Sequence, residues 1–273
     1  MAEGKNSGNQ SLIRGLQLLD ILSNFPNGCP LSKLTKISSL NKSTVHRLLQ
    51  GLQSEGFIKP TNSTGSYRLT TKCLSLGQKT LSSMNIIHIA SPHLENLNLI
   101  LGETINFSQR EGDHSIMIYK LEPTNGMMKT RAYIGQQMEL YCSAMGKLFL
   151  AHEANKNYLD KYWLEKKEII KSLTNNTITI VENMKIELED VLRTGFAMDR
   201  EENEIGVVCI ACPIFDLNNS VNYAISVSTS IHRLNQIGKT TILTELKKTS
   251  QAISEELGWQ PHKKEHEKKQ MVG

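Results

Sequence analysis

The apolar residues between positions 42 and 55 follow a spacing that only a helix with one buried side satisfies. They fall at i, i+3, i+4 and i+7, and they are Val45, Leu48, Leu49 and Leu52. Leu34 and Ile37 predict a shorter helix over residues 31–38, and a turn at 39–41 separates the two helices. A short helix, a brief turn and a second helix with a polar exposed side indicate a helix-turn-helix.

The residues around this motif predict a larger domain. Two short strands, 57–60 and 66–69, flank a polar, glycine-containing loop and form a hairpin, the wing. A helix beginning after Ser11 precedes the motif, and because it is apolar on more than one side, we expect it also to contact a second subunit. We therefore predict a winged helix-turn-helix over residues 11–70, preceded by a disordered segment, 1–10.

Charge is divided unevenly along the chain. Residues 1–90 carry ten basic and three acidic side chains, a balance of +7, whereas the remainder carries 21 basic and 24 acidic side chains, a balance of −3. The total of +4 hides this division. A basic first third suggests that this part of the chain meets a polyanion.

The polar side of the second motif helix carries side chains suited to double-stranded DNA. Such a helix enters the major groove, where Arg47 and Gln50 are able to form bidentate hydrogen bonds with guanine and adenine. A polar helix side alone is more often simply hydrated, but the order of elements and the local charge favour DNA binding. The predicted DNA-binding residues are Arg14, Lys42, Ser43, Thr44, His46, Arg47, Gln50, Tyr67 and Arg68.

The rest of the chain predicts a linker helix, 71–85, an α+β domain, 86–261, and a charged, disordered tail, 262–273. Predicted strands, rich in Ile, Val, Tyr, Thr or Phe, are 104–110, 115–121, 129–134, 207–215 and 223–228. Predicted helices are 85–101, 143–152, 182–193 and 240–257. Helices segregated from an antiparallel sheet are typical of an α+β sensory domain.

The sequence lacks complete motifs of enzymes, metal sites and membrane proteins. Cys209 and Cys212 have C-x-x-C spacing, but a structural zinc site needs a second pair, so we expect both in the core. Five scattered cysteines fit reduced thiols in the cytoplasm. No apolar run of about 18 residues predicts a membrane span, and no signal-peptide pattern is found. Because no nucleophile–base pair can be nominated, we expect no enzyme, cofactor or metal.

Several strings of the sequence resemble the IclR family of bacterial transcription regulators. They are SLIRGLQLLDILSNFPNGCPLSKLTKISSLNKSTVHRLLQGLQSEGFI, YCSAMGKLFLA, DREENEIGVVCIACPIFD and EELGW, and the resemblance spans about residues 11–258. It implies a winged-helix homodimer, or a tetramer of two dimers, with a GAF-like effector domain and a palindromic operator. The strings GSYRLTTK, IYKLEPT and RAYIG are closest to members that repress the catabolism of diketogulonate and related plant sugar acids.

A small carboxylate effector is implied by the same resemblance. The residues themselves offer a helix N-terminus at 143–147, whose free N–H groups and positive dipole end suit a carboxylate. Ser226 and Ser228 alternate on the last predicted strand and offer hydroxyl groups from one side. The resemblance adds contacts from the backbone of 144–145, from Asp199 and from Cys209.

The predicted effector-binding residues are Ser143, Ala144, Met145, Asp199, Cys209, Ser226, Ser228, Met127 and Met138. Met145 stands where many members have a smaller residue, which leaves the size of the pocket open. The plainer interpretation makes 199–204 a solvated acidic loop and Cys209 an ordinary core residue. If Asp199 lies in a pocket, it suits a polyhydroxy acid better than a plain aromatic acid.

The leading hypothesis is a ligand-responsive repressor of a sugar-acid catabolic operon, with a sugar-acid or keto-acid effector. The alternatives are an activator of the same family and a small-molecule enzyme with a vestigial helix-turn-helix. The effector, the operator and the choice between dimer and tetramer stay open at this point.

Overall fold

The computed structural model describes residues 10–61, 65–83, 85–124 and 130–260. The chain divides into two compact units between Ser83 and Met84, here called the N-terminal unit and the C-terminal unit. None of the helices in these ranges is both long enough and apolar enough to span a bilayer. The predicted contact Met127, the predicted tail 262–273 and nearly all of the predicted N-terminal segment lie outside the described residues.

In its described residues, the N-terminal unit has four helices and a small sheet. Its elements are α1 (Gln10–Ser23), β1 (Cys29–Pro30), α2 (Leu31–Ser38), α3 (Lys42–Ser54), β2 (Ile58–Pro60), β3 (Ser66–Leu69) and α4 (Thr71–Ser83). The antiparallel sheet has the order β1-β3-β2. One core joins the helices to the sheet, and its fully or nearly fully buried members include Leu18, Leu22, Leu34, Val45, Leu49 and Ile58. The predicted helix-turn-helix and hairpin are thus present, and β1 is an addition.

The turn between α2 and α3 is set by two local devices. Ser39 adopts a left-handed conformation with φ 54°, which ends α2. Asn41 caps α3, because its side-chain oxygen accepts a hydrogen bond from the N–H of Thr44 at 2.9 Å. The buried stripe of α3 then faces the core, and its polar side faces solvent.

The C-terminal unit is an antiparallel sheet with helices on both sides. Its elements are α5 (Asn85–Leu101), β4 (Thr104–Glu111), β5 (His114–Leu121), β6 (Gln137–Glu139), α6 (Ala144–Ala151), α7 (Tyr158–Glu165), α8 (Val181–Thr194), β7 (Ala197–Arg200), β8 (Val208–Phe215), β9 (Val221–Thr229), α9 (Ile231–Ile237) and α10 (Lys239–Glu256). The strand order is β6-β5-β4-β9-β8-β7. Helices α5 and α10 contact each other, and α10 packs on β8 and β9.

Helix α6 packs on the other side of β8 and β9, where the sheet carries small residues. Ala197, Ala211 and Ala224 belong to the same buried cluster as α6. Gly146 allows a close approach, because a Cβ at this position would lie 2.2 Å from the backbone oxygen of Leu140. The start of α6 is therefore held against the segment before it.

The predicted strand at 129–134 is wrong for its described residues, 130–134, which form turns and irregular structure. The edge strand β6 lies a few residues later and pairs with β5. The N–H of Gly135 donates a hydrogen bond to the backbone oxygen of Met117 at 2.7 Å. Backbone groups of this segment therefore find hydrogen-bond partners outside a regular strand ladder. Strand β7 was not predicted, since its residues, AMDR, include no β-branched side chain. Helix α9 was not predicted either.

Candidate functional site

Helix α3 presents a continuous polar surface. Among the predicted DNA-binding residues, those exposed to solvent are Lys42, Ser43, His46, Arg47, Gln50 and Arg68. Thr44 and Arg14 are half-buried. Tyr67 is half-buried as well and packs against the core of the N-terminal unit, so it also has a structural role.

The hairpin places two positive side chains directly opposite each other. Lys59 on β2 and Arg68 on β3 are cross-strand partners. Like charges in this position repel, and neither has an acidic partner among the described residues. Both line a polar cleft with Asn27, Pro60 and Thr61. Sequence reasoning missed Lys59, because its position opposite Arg68 depends on the register of the hairpin.

The C-terminal unit holds a cleft between the start of α6 and one side of the sheet, here called the α6 cavity. Its free volume, including the part open to solvent, is about 600 Å³, of which the centres of water molecules can occupy about 80 Å³. The predicted effector-binding residues in its wall are Met138, Ser143, Ala144, Met145, Asp199, Cys209, Ser226 and Ser228. The wall also includes residues that the sequence did not nominate, among them Asn106, Thr130, Arg131, Asn203 and Glu204.

Strand register explains why residues distant in sequence share this wall. Asp199 pairs with Cys209, and Cys209 pairs with Ser228, so one row crosses three strands. In the next row, Asn106 on β4 pairs with Ser226. Directly opposed residues of antiparallel strands face the same side of a sheet. The sheet therefore contributes amide, hydroxyl, thiol and carboxyl groups to one surface.

The α6 N-terminus contributes hydrogen-bond donors. Ser143 caps the helix, because its Oγ accepts a hydrogen bond from the N–H of Gly146 at 3.1 Å. The N–H of Lys147 donates to the backbone oxygen of Ser143. The N–H groups of Ala144 and Met145 come first in the helix and have no intrahelical acceptor. This end of the cavity suits an anionic group.

Asp199 is a buried carboxyl group in the cavity wall, only 3% exposed. Its Oδ1 accepts a hydrogen bond from the N–H of Glu202 at 2.7 Å. Burial, reinforced by the nearby negative charge of Glu202, raises the pKa of Asp199 to about 7, although hydrogen bonds and Lys147 oppose the shift. Near neutral pH this group is therefore able to donate or to accept a hydrogen bond.

The interpretation of 199–204 as a solvated acidic loop is wrong for its buried members. Glu202 is 2% exposed and Lys147 is completely buried, and their Oε1 and Nζ atoms lie 2.6 Å apart. Lys147 also donates to Glu187 at 3.1 Å and to the backbone oxygen of Met198 at 2.9 Å. Because the cation compensates the carboxylates, the loop folds inward instead of remaining in water.

Cys209 packs against the buried cluster around α6, as predicted, and it also lines the cavity. Its Sγ lies 3.1 Å from Ser228 Oγ. Burial raises the pKa of this thiol well above its usual value, so it stays protonated and acts as a small polar wall group. Cys212 is 1% exposed in the interior of the unit, as predicted. Within the described ranges, no three His, Cys, Asp or Glu side chains are grouped so that they could hold a metal ion.

Two family models cover most of the chain. The IclR helix-turn-helix domain matches residues 11–61, and the C-terminal domain of the bacterial transcriptional regulator IclR matches residues 78–255. An uncharacterized HTH-type transcriptional regulator of Haemophilus influenzae is 66% identical over 260 residues, which is 95% of this chain and 97% of that protein.

A second relative and a solved structure agree with these matches. The DNA-binding transcriptional repressor YiaJ of Escherichia coli K12 is 58% identical over 261 residues, 95% of this chain and 92% of that protein. The crystal structure of Thermotoga maritima IclR matches with a TM-score of 0.70 and 28% identity, over 91% of this chain and 99% of that chain. These are regulators, which confirms the expectation that the chain is not an enzyme. The chain belongs to the IclR family of bacterial transcriptional regulators.

Proposed function

We propose that the chain represses a sugar-acid catabolic operon, and that a small hydroxylated carboxylic acid in the α6 cavity modulates its binding to the operator. The observation that carries this proposal is the α6 cavity, which combines anion-binding N–H groups with buried polar side chains. Similarity to the repressor YiaJ favours repression over activation. The strings shared with repressors of plant sugar-acid catabolism favour a diketogulonate-like operon.

The carboxylate of the effector binds at the α6 N-terminus. The N–H groups of Ala144 and Met145 provide donors there, and the positive end of the helix dipole favours negative charge. The cation nearest in sequence, Lys147, is bound to Glu202 and Glu187. Arg131, also in the wall, is paired with Glu204 at 3.4 Å, so the helix end supplies the attraction.

The sheet side of the cavity binds the hydroxyl groups of the effector. Asp199, Ser226 and Ser228 offer oxygen atoms that accept hydrogen bonds. An aromatic acid would leave such buried polar groups unpaired, which costs binding free energy. A sugar acid or a hydroxylated keto acid satisfies both ends of the cavity.

Helix α3 reads the operator in the major groove. Arg47 and Gln50 form base contacts, and Lys42, Ser43 and Thr44 bind phosphates near the start of the helix. The predicted DNA surface also includes His46, Arg14, Tyr67 and Arg68. A homodimer, or a tetramer of two dimers, matches the symmetry of a palindromic operator.

Helix α1 offers an apolar surface for such a dimer. Leu12, Ile13 and Leu16 are 62%, 50% and 53% exposed within the described chain. Clustered apolar side chains on one helix surface are typical of an interface between subunits. The sequence-based expectation of a second subunit against this helix is retained as part of the proposal.

A binding assay on the DNA upstream of neighbouring sugar-acid genes tests the proposal. We expect a salt-sensitive, sequence-specific shift, because phosphate contacts release counterions, and we expect added sugar acids to change it. Absence of a sequence-specific shift would refute the DNA-binding part. In a reporter strain, expression that falls when the gene is deleted would show activation instead of repression.

Asp199→Ala tests the α6 cavity. The variant should bind DNA as the wild type does but require about tenfold more acid for the same response, because one hydrogen bond to the effector is lost. Asp160→Ala, at an exposed carboxylate on α7, is the matched control and should leave the response unchanged. An unchanged dose–response curve for Asp199→Ala would remove Asp199 from the site.

A further inference from the structure

Asn106 is a buried amide in the wall of the α6 cavity, and sequence reasoning did not nominate it. It lies on β4 and is 3% exposed. Its Nδ2 group donates hydrogen bonds to Ser228 Oγ at 2.8 Å and to Ser226 Oγ at 3.3 Å. In this arrangement both amide hydrogens have acceptors within the sheet.

The other end of this amide is unsatisfied. Among the described residues, Asn106 Oδ1 is a buried oxygen without a hydrogen-bond partner, and so is Thr130 Oγ1. Both residues line the same α6 cavity. Buried acceptors without partners are rare in folded proteins and call for a physical explanation. A ligand hydroxyl group in the cavity would supply the missing donor.

Two other acceptors of the wall are already engaged within the protein. Asp199 Oδ1 already accepts a hydrogen bond from the N–H of Glu202, and Ser228 Oγ lies next to Cys209 Sγ and accepts from Asn106. The amide oxygen of Asn106 is neutral, so it accepts a hydrogen bond without repelling a carboxylate elsewhere in the ligand. It therefore discriminates by hydroxyl content and not by charge.

We infer that Asn106 is a specificity-determining residue that selects hydroxylated acids over acids without hydroxyl groups, by accepting a hydrogen bond from the ligand at Oδ1. This inference rests on the proposed function, in which the α6 cavity binds a small acid. It adds a residue that contributes to hydroxyl selection beside Asp199, Ser226 and Ser228. A site built to pair with a hydroxyl group rejects an analogue that lacks it, because the buried acceptor stays unpaired.

The experiment compares two six-carbon acids, D-gluconate and hexanoate, on the full-length protein. Binding is measured by isothermal titration and by the shift in melting temperature. The wild type should prefer gluconate, and Asn106→Leu should reduce the gluconate-to-hexanoate affinity ratio by about tenfold. A variant that only loosened the fold would weaken the binding of both acids and leave the affinity ratio unchanged.

Two further variants keep the test decisive. Ser108→Ala changes a buried hydroxyl two residues further along β4, outside the cavity wall, and should preserve the wild-type ratio. If Asn106→Leu does not fold, Asn106→Ala removes the same acceptor with a smaller side chain.

The outcomes separate this inference from the proposed function. If the wild type binds acids but the Asn106 variants keep the wild-type ratio, the inference is wrong and the proposed function stands. The inference is also wrong if the wild type binds hexanoate in preference to gluconate. If neither acid binds the wild type, both the inference and the proposed acid effector are overturned.

Discussion

Replacing Asp199 with asparagine should make the C-terminal unit less sensitive to pH. The pKa of Asp199 is raised from 3.8 to about 7 in the folded protein. A raised pKa means that the folded state holds a proton that the unfolded state releases between about pH 4 and pH 7. The wild type therefore loses stability as pH rises through this window. Asparagine keeps the oxygen that accepts from the N–H of Glu202 and carries no titratable group.

The size of the effect follows from the two pKa values. Between pH 5 and pH 8 the contribution of Asp199 to the free energy of unfolding should fall by about 2.5 kcal/mol, since a tenfold change in a protonation equilibrium corresponds to about 1.4 kcal/mol. The stability of Asp199→Asn relative to the wild type should rise by the same amount. Because other titrating groups are shared by both proteins, they cancel in this difference.

Urea unfolding at several pH values measures the difference. Both tryptophans, Trp163 and Trp259, lie in the C-terminal unit, so their fluorescence reports on the correct part of the chain. Asp160→Asn is the matched control. Its free energy of unfolding relative to the wild type should vary with pH by less than about 1 kcal/mol, as for exposed ion pairs. If the free energy of unfolding varied with pH in the same way for the wild type and Asp199→Asn, the folded state would not hold a proton at Asp199.

The same proton should affect effector binding. Below about pH 7, a protonated Asp199 is able to donate a hydrogen bond to an acid in the α6 cavity, whereas above this pH its charge repels a carboxylate. Affinity for gluconate should therefore decline as the pH rises through 7, and this decline should be absent in Asp199→Asn. A decline of equal size in both proteins would assign it to another group.

Four further substitutions test the remaining geometry. Lys147→Met should destabilise the C-terminal unit by about 3–5 kcal/mol in urea unfolding, because Glu202 is left as a buried, unpaired charge; a loss below about 1 kcal/mol would contradict this. Gly146→Ala should cost about 1–3 kcal/mol and weaken acid binding, because its Cβ would lie 2.2 Å from a backbone oxygen; wild-type stability would contradict this. Arg47→Ala should cost about 1–3 kcal/mol on operator DNA only, and Arg68→Ala should weaken binding to all DNA and reduce the salt slope by about one; equal losses on random DNA would make Arg47 a phosphate contact.

The N-terminal unit was largely predictable because its signals are local. The stripe from Val45 to Leu52 predicts α3, and the short polar segment 39–41 predicts the turn before it. Each signal spans fewer than ten residues, so no distant partner is needed to interpret it. Strand β1 was missed because two residues, Cys29 and Pro30, carry no periodic pattern.

The α6 cavity was predictable only in part. The helix N-terminus at Ser143 is a local signal, and Asp199 and Cys209 came from the family resemblance. Asn106 lies in a strand where an alternating polar residue is ordinary, and nothing in its neighbours indicates a cavity. Its role depends on the pairing of β4 with β9, which joins residues about 120 positions apart.

By itself, the sequence determined the helix-turn-helix, the hairpin after it and the division of charge between the two parts of the chain. Only the tertiary structure decided which polar residues are buried. Lys147 and Glu202 are ordinary charged residues in the sequence, yet they are buried together because α6 and the loop after β7 meet. Periodicity encodes which side of an element is apolar, whereas burial of a charge depends on a partner that chain topology brings from far away.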